Sequence, residues 1–305
     1  MSPETRPGRL DALREALPAD RREAEARLDA LVRANRATVS VVFPVVGAVL
    51  LVASAEGVFG GTPLAPLAFH GGLILLGTLV MRSPLIVGLA PLVGRRELAG
   101  VGLLSAYAYG IEYVGIATGW PYGEFEYLVA LGPELGGVPL GLPVFFLPLV
   151  ANAYLLCLLL MGERAASTAS RLLAVIALVL TLDVVLDPGA VALGFWAYDG
   201  VANVGAVGVL SGAGFYGVPL SNYAGWVLSA TVAVVVLDAA FDRAALRTRL
   251  ADCEFMLDDM VSFVLLWGGV NAWFGNPLPA LIAAGIGVGL VRADRFDASL
   301  LRDVF

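Results

Sequence analysis

Long apolar blocks alternate with short polar connections along the chain. The blocks are about 15–22 residues long, and a helix needs about 20 residues to cross a bilayer. They predict eight membrane-spanning helices, at about residues 38–59, 66–81, 98–118, 142–161, 172–187, 223–241, 255–275 and 277–291. The apolar stretch 83–93 is interpreted as an interfacial segment, and seven spans is the alternative count. The predicted fold is therefore all-α, a polytopic integral membrane helix bundle.

The two ends of the chain differ in character from its middle. From Arg9 to Arg36 the sequence alternates arginine, acidic residues, alanine and leucine, which predicts a charged amphipathic helix along the membrane. No early apolar region with a small-residue cleavage site is present, so no signal peptide is expected. The predicted organisation is an N-terminal helix over 1–37, a transmembrane domain over 38–291 and a C-terminal tail over 292–305.

Basic residues occur in only every second connection. Arginines precede the first span and follow the second, fourth, sixth and eighth. The other four connections contain none: 60–65, 119–141, 188–222 and 276. Because positive charge is enriched on the cytoplasmic side of membrane proteins, we predict a multi-pass protein of the cell membrane with both termini in the cytoplasm.

Composition supports the membrane assignment and narrows the function. The 305 residues are 59% hydrophobic and 15% charged, whereas soluble domains are about 45–50% apolar and about 25% charged. A soluble multidomain enzyme is thereby excluded. A net charge of −7 and only two cysteines also exclude a nucleic-acid-binding protein and a disulfide scaffold. All 19 basic residues are arginine, and this lysine-free, acidic composition indicates a halophile with a high-salt cytoplasm.

Four acidic residues lie inside predicted spans, in the halves remote from the arginines, and one of them, Glu56, lies near the end of the first span. Glu112 lies in the third span, and Asp183 and Asp187, four residues apart, share one face of the fifth. Burying a carboxylate in hydrocarbon is costly unless it is paired, hydrated or functional. Either each carboxyl hydrogen-bonds a polar side chain of a neighbouring helix, or it stays protonated and donates a proton at neutral pH. Acidic residues in the adjoining loops, Glu126 among them, favour the second interpretation.

The remaining polar residues of the spans receive structural interpretations. Asp238, Asp258 and Asp259 lie at the arginine-flanked ends of spans, where water can reach them, and we expect solvated or helix-capping roles. The single histidine, His70, is expected to hydrogen-bond between helices. One histidine cannot build a multi-histidine iron site, and no metal site is expected.

Aromatic residues crowd the same half of the predicted bundle as Glu112. An interfacial aromatic belt explains some of them, but their density around the two acidic loops exceeds what anchoring needs. An aromatic-lined groove would suit a polyene or a carbocation, whose charge ring faces stabilise. No P-loop is present, and no nucleotide or redox cofactor is expected.

Asp183-Val-Val-Leu-Asp187 is superficially similar to the aspartate-rich motif of intramembrane prenyltransferases. That motif holds Mg²⁺ and a diphosphate, and basic residues would be expected beside it. No basic residue lies on that side of the predicted bundle. A prenyltransferase is therefore not supported.

Two long connections without arginine share the tetrapeptide Gly-Val-Pro-Leu, which starts at Gly137 and at Gly217. Both connections are predicted on the same side, so a duplicated helix pair would be a parallel repeat. A chance match of four letters is the alternative interpretation.

Several segments together resemble the carotenoid biosynthesis membrane-protein family, over about residues 40–290. The most specific is Tyr216-Gly-Val-Pro-Leu-Ser-Asn-Tyr-Ala-Gly-Trp226. The others are Tyr109 to Glu112, Gly123-Glu-Phe-Glu-Tyr127, Leu131-Gly-Pro133, Gly137-Val-Pro139, Asp183, Leu186-Asp-Pro188 and Trp196. The N-terminal helix lies outside the resemblance.

The resemblance implies a hydro-lyase that adds water to the terminal double bonds of a C50 carotenoid, converting bisanhydrobacterioruberin to bacterioruberin without a cofactor. The expected partners are this carotenoid and the lipid bilayer, together with the carotenoid elongase and desaturase of the same pathway. A non-catalytic carotenoid-binding protein and a transporter are the alternatives.

Acid-catalysed hydration suits the residues already singled out. A neutral carboxylic acid would protonate the alkene, aromatic rings would stabilise the tertiary cation, and a second carboxylate would orient water. Asp183 and Glu112 are both candidates for the proton donor, and Asp187 is expected to orient the water. The residues expected to line the substrate site are Tyr109, Tyr113, Glu126, Trp196, Tyr198, Asn222 and Trp226.

Overall fold

The computed structural model describes residues 18–295, and helices dominate this range. The helices are α1 (Arg21–Ala34), α2 (Phe43–Ala55), α3 (Gly71–Leu89), α4 (Arg95–Thr118), α5 (Leu142–Met161), α6 (Thr168–Leu193), α7 (Gly208–Ser211), α8 (Leu220–Ala240), α9 (Arg243–Asp252), α10 (Asp258–Trp273) and α11 (Pro277–Arg292). A π-helical turn, Thr38–Val42, leads directly into α2. Four short strands are added: β1 (Phe125–Tyr127), β2 (Glu134–Leu135), β3 (Val138–Pro139) and β4 (Trp196–Tyr198). The all-α prediction is confirmed. The first part of the predicted N-terminal helix and most of the predicted tail lie outside the described residues.

Each predicted span corresponds to a helix, although not every helix is long and apolar enough to cross a membrane by length and composition alone. Five segments of the described residues meet both criteria: Thr38–Ala55, Gly71–Leu92, Leu142–Ala166, Thr168–Leu193 and Leu220–Ala240. Helix α11 is apolar but shorter. Helix α4 carries charges at its start, and α10 opens with Asp258 and Asp259. The total of eight spans therefore stays a prediction.

The interpretation of residues 83–93 as a separate interfacial segment is wrong for its first half. Helix α3 continues through Pro84 to Leu89. Proline has no N–H to donate to the carbonyl four residues earlier, which here belongs to Val80. The Ser83 hydroxyl donates to that carbonyl instead, at 2.6 Å. Because the freed acceptor is satisfied within the helix, α3 passes through the proline.

The arginines of the described connections meet at one end of the bundle, called here the arginine end. Arg36 pairs with Asp258, Arg82 with Asp259 and Arg171 with Asp238. Asp258 and Asp259 are fully buried, so the expectation of solvated or capping carboxylates is wrong for these two. The sequence shows each carboxylate near a helix end, but not the guanidinium that another helix brings against it.

Removal of the Arg82 side chain is expected to lower the stability of the protein strongly, because Arg82 is paired with Asp259. Asp259 also accepts a 2.5 Å hydrogen bond from Asn152. Arg82→Ala would leave a buried carboxylate without its counter-ion, which costs about 3–5 kcal/mol of unfolding free energy. Arg27→Ala is the matched control, because the Arg27–Glu23 pair is about half exposed and such pairs contribute about 0–1 kcal/mol. The unfolding free energy of each variant is measured in detergent. Equal losses of unfolding free energy in the two variants would contradict the prediction.

Four helices form the ring that carries the candidate site. Helix α4 packs against α5 and α8, and α6 packs against the same two. The α4–α8 contact is close at Gly100, where an added Cβ would lie 2.5 Å from the Cβ of Ala240. Helix α10 packs against α6 on the outside of the ring, and also against α2, α3 and α11. The ring thus has one open end at the arginines and one beneath the strands.

The two Gly-Val-Pro-Leu copies occupy equivalent places in the fold. In the first, Leu135 pairs with Val138 across a two-residue turn, and in the second Phe215 pairs with Val218 in the same way. Both central residues of each turn have positive φ: Gly136 and Gly137, then Tyr216 and Gly217. Such angles define a type I′ hairpin turn. The helices α5 and α8 follow the two turns, which supports the interpretation of a parallel repeat.

Candidate active site

A pair of short strands covers the end of the ring opposite the arginines. Strands β1 and β4 run antiparallel, with Glu126 opposite Ala197 at the centre of the register. Because side chains alternate along a strand, Phe125, Tyr127, Trp196 and Tyr198 share the face that lines the cavity below. The ring centroids of the directly paired residues are 5.9 Å apart for Phe125–Tyr198 and 6.3 Å apart for Tyr127–Trp196. The strands therefore form an aromatic roof.

Each strand of the roof donates one hydrogen bond to a carboxyl of the helix that precedes it. The Tyr127 hydroxyl donates to Glu112 Oε1 on α4. The Tyr198 hydroxyl donates to Asp187 Oδ2 on α6 at 3.1 Å. Burial and the nearby carboxyls raise the pKa of both tyrosines well above the usual value. Both phenols consequently remain protonated donors.

The aspartates of α6 are joined by an amide from α8. Asn222 Nδ2 donates to Asp183 Oδ2 at 3.0 Å and to Asp187 Oδ2 at 2.6 Å. All three side chains are buried, and Asp183 is 0% exposed. Asp183 Oδ1 has no hydrogen-bond partner among the described residues. Asn222 thereby fixes the orientation of Asp187 and isolates Asp183 beneath it.

Two asparagines near the end of α10 anchor the segment of α6 that carries these aspartates. Asn271 donates to the carbonyl of Val185 at 2.7 Å, and Asn276 donates to the carbonyl of Pro188 at 3.3 Å. Pro188 lies within α6 and cannot continue the regular hydrogen-bond pattern of the helix. The turn that contains Asp187 is thus held by side chains as well as by its own helix.

The three carboxyls lack a counter-ion. No ion pair between residues 18–295 involves Glu112, Asp183 or Asp187, and the ion pairs that do form use other carboxylates. An unpaired carboxylate in an apolar site is costly, and the cost favours the neutral acid. The site is therefore suited to hold a transferable proton.

Below the roof lies a cavity of about 110 Å³ with largely apolar walls. An engineered apolar cavity of about 150 Å³ binds benzene, so this space matches one end of a long hydrocarbon. The ring of Trp226 stacks on Phe146 in the wall, with centroids 5.5 Å apart. The lining residues are Glu112, Tyr122, Phe125, Tyr127, Leu131, Pro139, Leu142, Phe145, Phe146, Leu149, Leu186, Asp187, Phe195, Trp196, Tyr198, Asn222, Trp226 and Trp267.

Six of the ten predicted site residues line this cavity, and Asp183 lies behind Asn222 without lining it. The six are Glu112, Asp187, Trp196, Tyr198, Asn222 and Trp226. Trp196 Nε1 is buried and lacks a hydrogen-bond partner among the described residues.

Three predicted residues lie away from the cavity. Glu126 is exposed on the outer face of β1, because its neighbours in the strand take the inner face. Tyr113 is 55% exposed, since consecutive helix residues point about 100° apart and Glu112 takes the inward position. Tyr109 donates its hydroxyl to the carbonyl of Leu140, next to the β2–β3 hairpin. The structure thus places these three residues outside this cavity, and their expected contact with the substrate stays a prediction.

The sequence did not single out several wall residues, notably Tyr127, Phe146 and Trp267. Tyr127 is in the motif Gly123–Tyr127. Its spacing of two residues from Phe125 would place both rings on one face of a strand, and this is the sequence signal that could have identified it. Phe146 and Trp267 lie on α5 and α10, far along the chain, and nothing local marks them.

His70 was expected to hydrogen-bond between helices. It instead caps the start of its own helix, α3, where Nδ1 accepts from the backbone N–H of Leu73 at 3.4 Å.

Within residues 18–295, no group of three or more His, Cys, Asp or Glu side chains is arranged to share a metal ion. The expectation that the reaction needs neither metal nor cofactor stays a prediction. Both cysteines, Cys157 and Cys253, are free and buried, as their positions in and beside apolar segments predict.

Comparison with known proteins identifies the family. A family model described as carotenoid biosynthesis protein matches residues 69–290. The chain is 56% identical to bisanhydrobacterioruberin hydratase of Haloarcula japonica over 285 aligned residues. These residues make up 93% of this chain and 92% of that protein. No solved structure matches the chain. These findings confirm the resemblance predicted from the sequence: the chain belongs to the carotenoid biosynthesis protein family.

Proposed function

We propose that this protein is a carotenoid hydratase that converts bisanhydrobacterioruberin to bacterioruberin by acid catalysis. The observation that carries the proposal is that Glu112 and Asp187 reach one aromatic cavity from different helices, and that no cationic side chain within residues 18–295 is paired with either of them. The name of the relative from Haloarcula japonica supports the enzyme class predicted from the sequence, a hydro-lyase. Water addition to an alkene uses an acid and a base. Glu112 is proposed as the neutral acid, and Asp187 as the base, because Asp187 Oδ2 accepts hydrogen bonds from both Tyr198 and Asn222, which stabilise its carboxylate form.

In the proposed first step, neutral Glu112 gives its proton to the less substituted carbon of the terminal double bond. A C–H bond forms from the π electrons, and the more substituted carbon becomes a tertiary cation. The ring faces of the roof and of Trp226 stabilise this charge. Tyr127 holds the Glu112 carboxyl in place and stabilises the carboxylate that proton transfer leaves.

In the second step, water attacks the cation and a C–O bond forms. Asp187 takes the proton that the attacking water releases, so the sum of the two steps is addition of one water. Asp183 does not touch the cavity and acts through Asn222 to position Asp187. The proton then returns from Asp187 to Glu112 before the next turnover.

The cavity size predicts that the two ends of the substrate react one after the other. A space of about 110 Å³ takes a single end of a C50 chain. Release and reorientation then separate the two hydrations, and the mono-hydrated carotenoid is expected to accumulate early in a time course. Absence of this intermediate at every time point would contradict sequential reaction.

The proposed location is the cell membrane, with multiple spans and the arginine end in the cytoplasm. The segregation of arginine to one end of the bundle supports this orientation. Both termini would then be cytoplasmic. The carotenoid elongase and desaturase of the same pathway are proposed partners, because they supply the apolar substrate within the same bilayer.

The test is expression of the chain in a host that accumulates bisanhydrobacterioruberin, followed by mass analysis of the pigments. The expected result is two successive gains of the mass of one water. Unchanged pigment masses with well-folded protein would overturn the hydratase proposal and favour carotenoid binding or transport.

A further inference from the structure

A second pocket lies at the arginine end, far from the aromatic cavity. Its volume is about 490 Å³. It opens where the start of α4, the connection between α5 and α6, the end of α8 and the start of α9 come together. The lining residues are Arg96, Ala166, Asp238, Phe241, Asp242, Arg243, Ala244 and Arg247.

The two carboxylates of this pocket already have partners. Asp238 accepts from the buried guanidinium of Arg171, with Nε at 2.8 Å, and from the Tyr154 hydroxyl at 2.6 Å. Asp242 caps α9 by accepting from the backbone N–H of Ala244 at 2.7 Å. Arg171 balances the charge of Asp238, whereas Asp242 keeps its charge, because its donors are neutral backbone N–H groups.

Three arginines of the wall outnumber the one wall carboxylate, Asp242, that no arginine pairs with among the described residues. Arg243 lies 3.6 Å from Asp238, which Arg171 already holds more closely. Arg96 and Arg247 donate to the backbone carbonyls of Ala239 and Gly162. Among the described residues, neither Arg96 nor Arg247 forms an ion pair with a carboxylate. In a chain with a net charge of −7, this is a local concentration of positive charge.

One donor in the wall lacks an acceptor. Arg247 Nε is buried and has no hydrogen-bond partner among the described residues. A buried N–H without a partner is unfavourable, and rotation of the side chain toward the pocket would bring it to an anionic oxygen. The planar guanidinium matches phosphate geometry through paired N–H groups.

We propose that this pocket binds a phosphate group. The position favours a lipid headgroup as its source, because the pocket begins where the apolar helix α8 ends. Leu98 and Leu103 of α4 and Val235 of α8 are exposed along the neighbouring helix surfaces, where acyl chains would lie. Basic pockets at the ends of membrane helices bind anionic headgroups by this combination of charge and apolar contact.

The experiment uses the purified full-length protein in a neutral detergent. Its thermal midpoint is measured with short-chain phosphatidylglycerol, with phosphatidylcholine of the same chain length, and with inorganic phosphate. Phosphatidylglycerol is expected to raise the midpoint by several degrees, and phosphatidylcholine is not. Stabilisation by inorganic phosphate at millimolar concentration would support the site and identify the source as soluble phosphate.

Variants separate the pocket from non-specific charge effects. Arg96→Gln combined with Arg247→Gln is expected to weaken the apparent affinity for phosphatidylglycerol by at least about tenfold. Arg292→Gln is the matched control, because Arg292 lies at the end of α11 and outside the pocket. This variant should retain the affinity of the parent protein for phosphatidylglycerol. If the double variant does not fold, Arg243→Gln replaces it, because this side chain is 40% exposed. Equal stabilisation by both lipids, or unchanged affinity in the pocket variants, would overturn the proposal.

Discussion

Glu112→Gln is expected to lower carotenoid hydration by about 10²- to 10⁴-fold, the usual contribution of a positioned general acid. Glutamine has nearly the same shape as glutamic acid, and its carbonyl can still accept the hydrogen bond from Tyr127. The amide has no acidic proton to give to an alkene. The rate of formation of mono-hydrated carotenoid per folded protein, in membranes supplied with substrate, is the measurement.

Glu126→Gln is the matched control for this substitution. It removes the same carboxyl group from a residue of the roof strand, but Glu126 points outward and is exposed. Its hydration rate should stay within about twofold of the parent protein, because surface substitutions rarely disturb a site. A Glu112→Gln protein that keeps more than about a tenth of the parent rate would exclude Glu112 as the proton donor.

Asp187→Asn and Asp183→Asn are expected to differ, although the two aspartates are one helical turn apart. Asp187 lines the cavity, whereas Asp183 contacts it only through Asn222. Loss of the base at Asp187 should lower the hydration rate by about 10²- to 10⁴-fold. Loss of a positioning group at Asp183 should lower it by roughly tenfold, the cost of one misplaced hydrogen bond.

The two aspartate variants control for each other, because each replaces a buried aspartate of α6 with asparagine. Both proteins must first be compared for their amount in the membrane and for their unfolding temperature. If Asp183→Asn abolished hydration while Asp187→Asn kept it, the assignment of base and positioning group would have to be reversed.

The helices were predictable because the bilayer imposes a simple rule on composition. Blocks of apolar residues marked each long helix, and the absence of arginine from alternate connections separated the two ends of the bundle. Glu112, Asp183 and Asp187 were conspicuous for the same reason, since carboxyls are rare in apolar spans. The sequence therefore predicted which end carries the candidate site and three of its polar groups.

Partners across the fold were not predictable in this way. Nothing near Asp259 along the chain indicates that Arg82 and Asn152 will meet it, and the pattern suggested a solvated carboxylate instead. The sequence offered no reason to prefer Glu112 over Asp183 as the proton donor, whereas in the structure Glu112 lines the cavity and Asp183 is bound to Asn222 without lining it. Such distinctions depend on which side chain lies in front of another, and one-dimensional spacing does not contain that information.

The pairing of β1 with β4 also has a consequence for biosynthesis. The strands are separated by roughly 70 residues of chain, which takes on the order of 4–14 s to synthesise at ~5–20 residues per second. Until β4 emerges and α6 has been inserted, β1 has no strand partner, and Tyr127 lacks Trp196, its ring neighbour across the roof. Assembly of the cavity therefore waits for the second half of the chain. A ribosome stalled before Trp196 would hold a membrane-inserted intermediate without a roof.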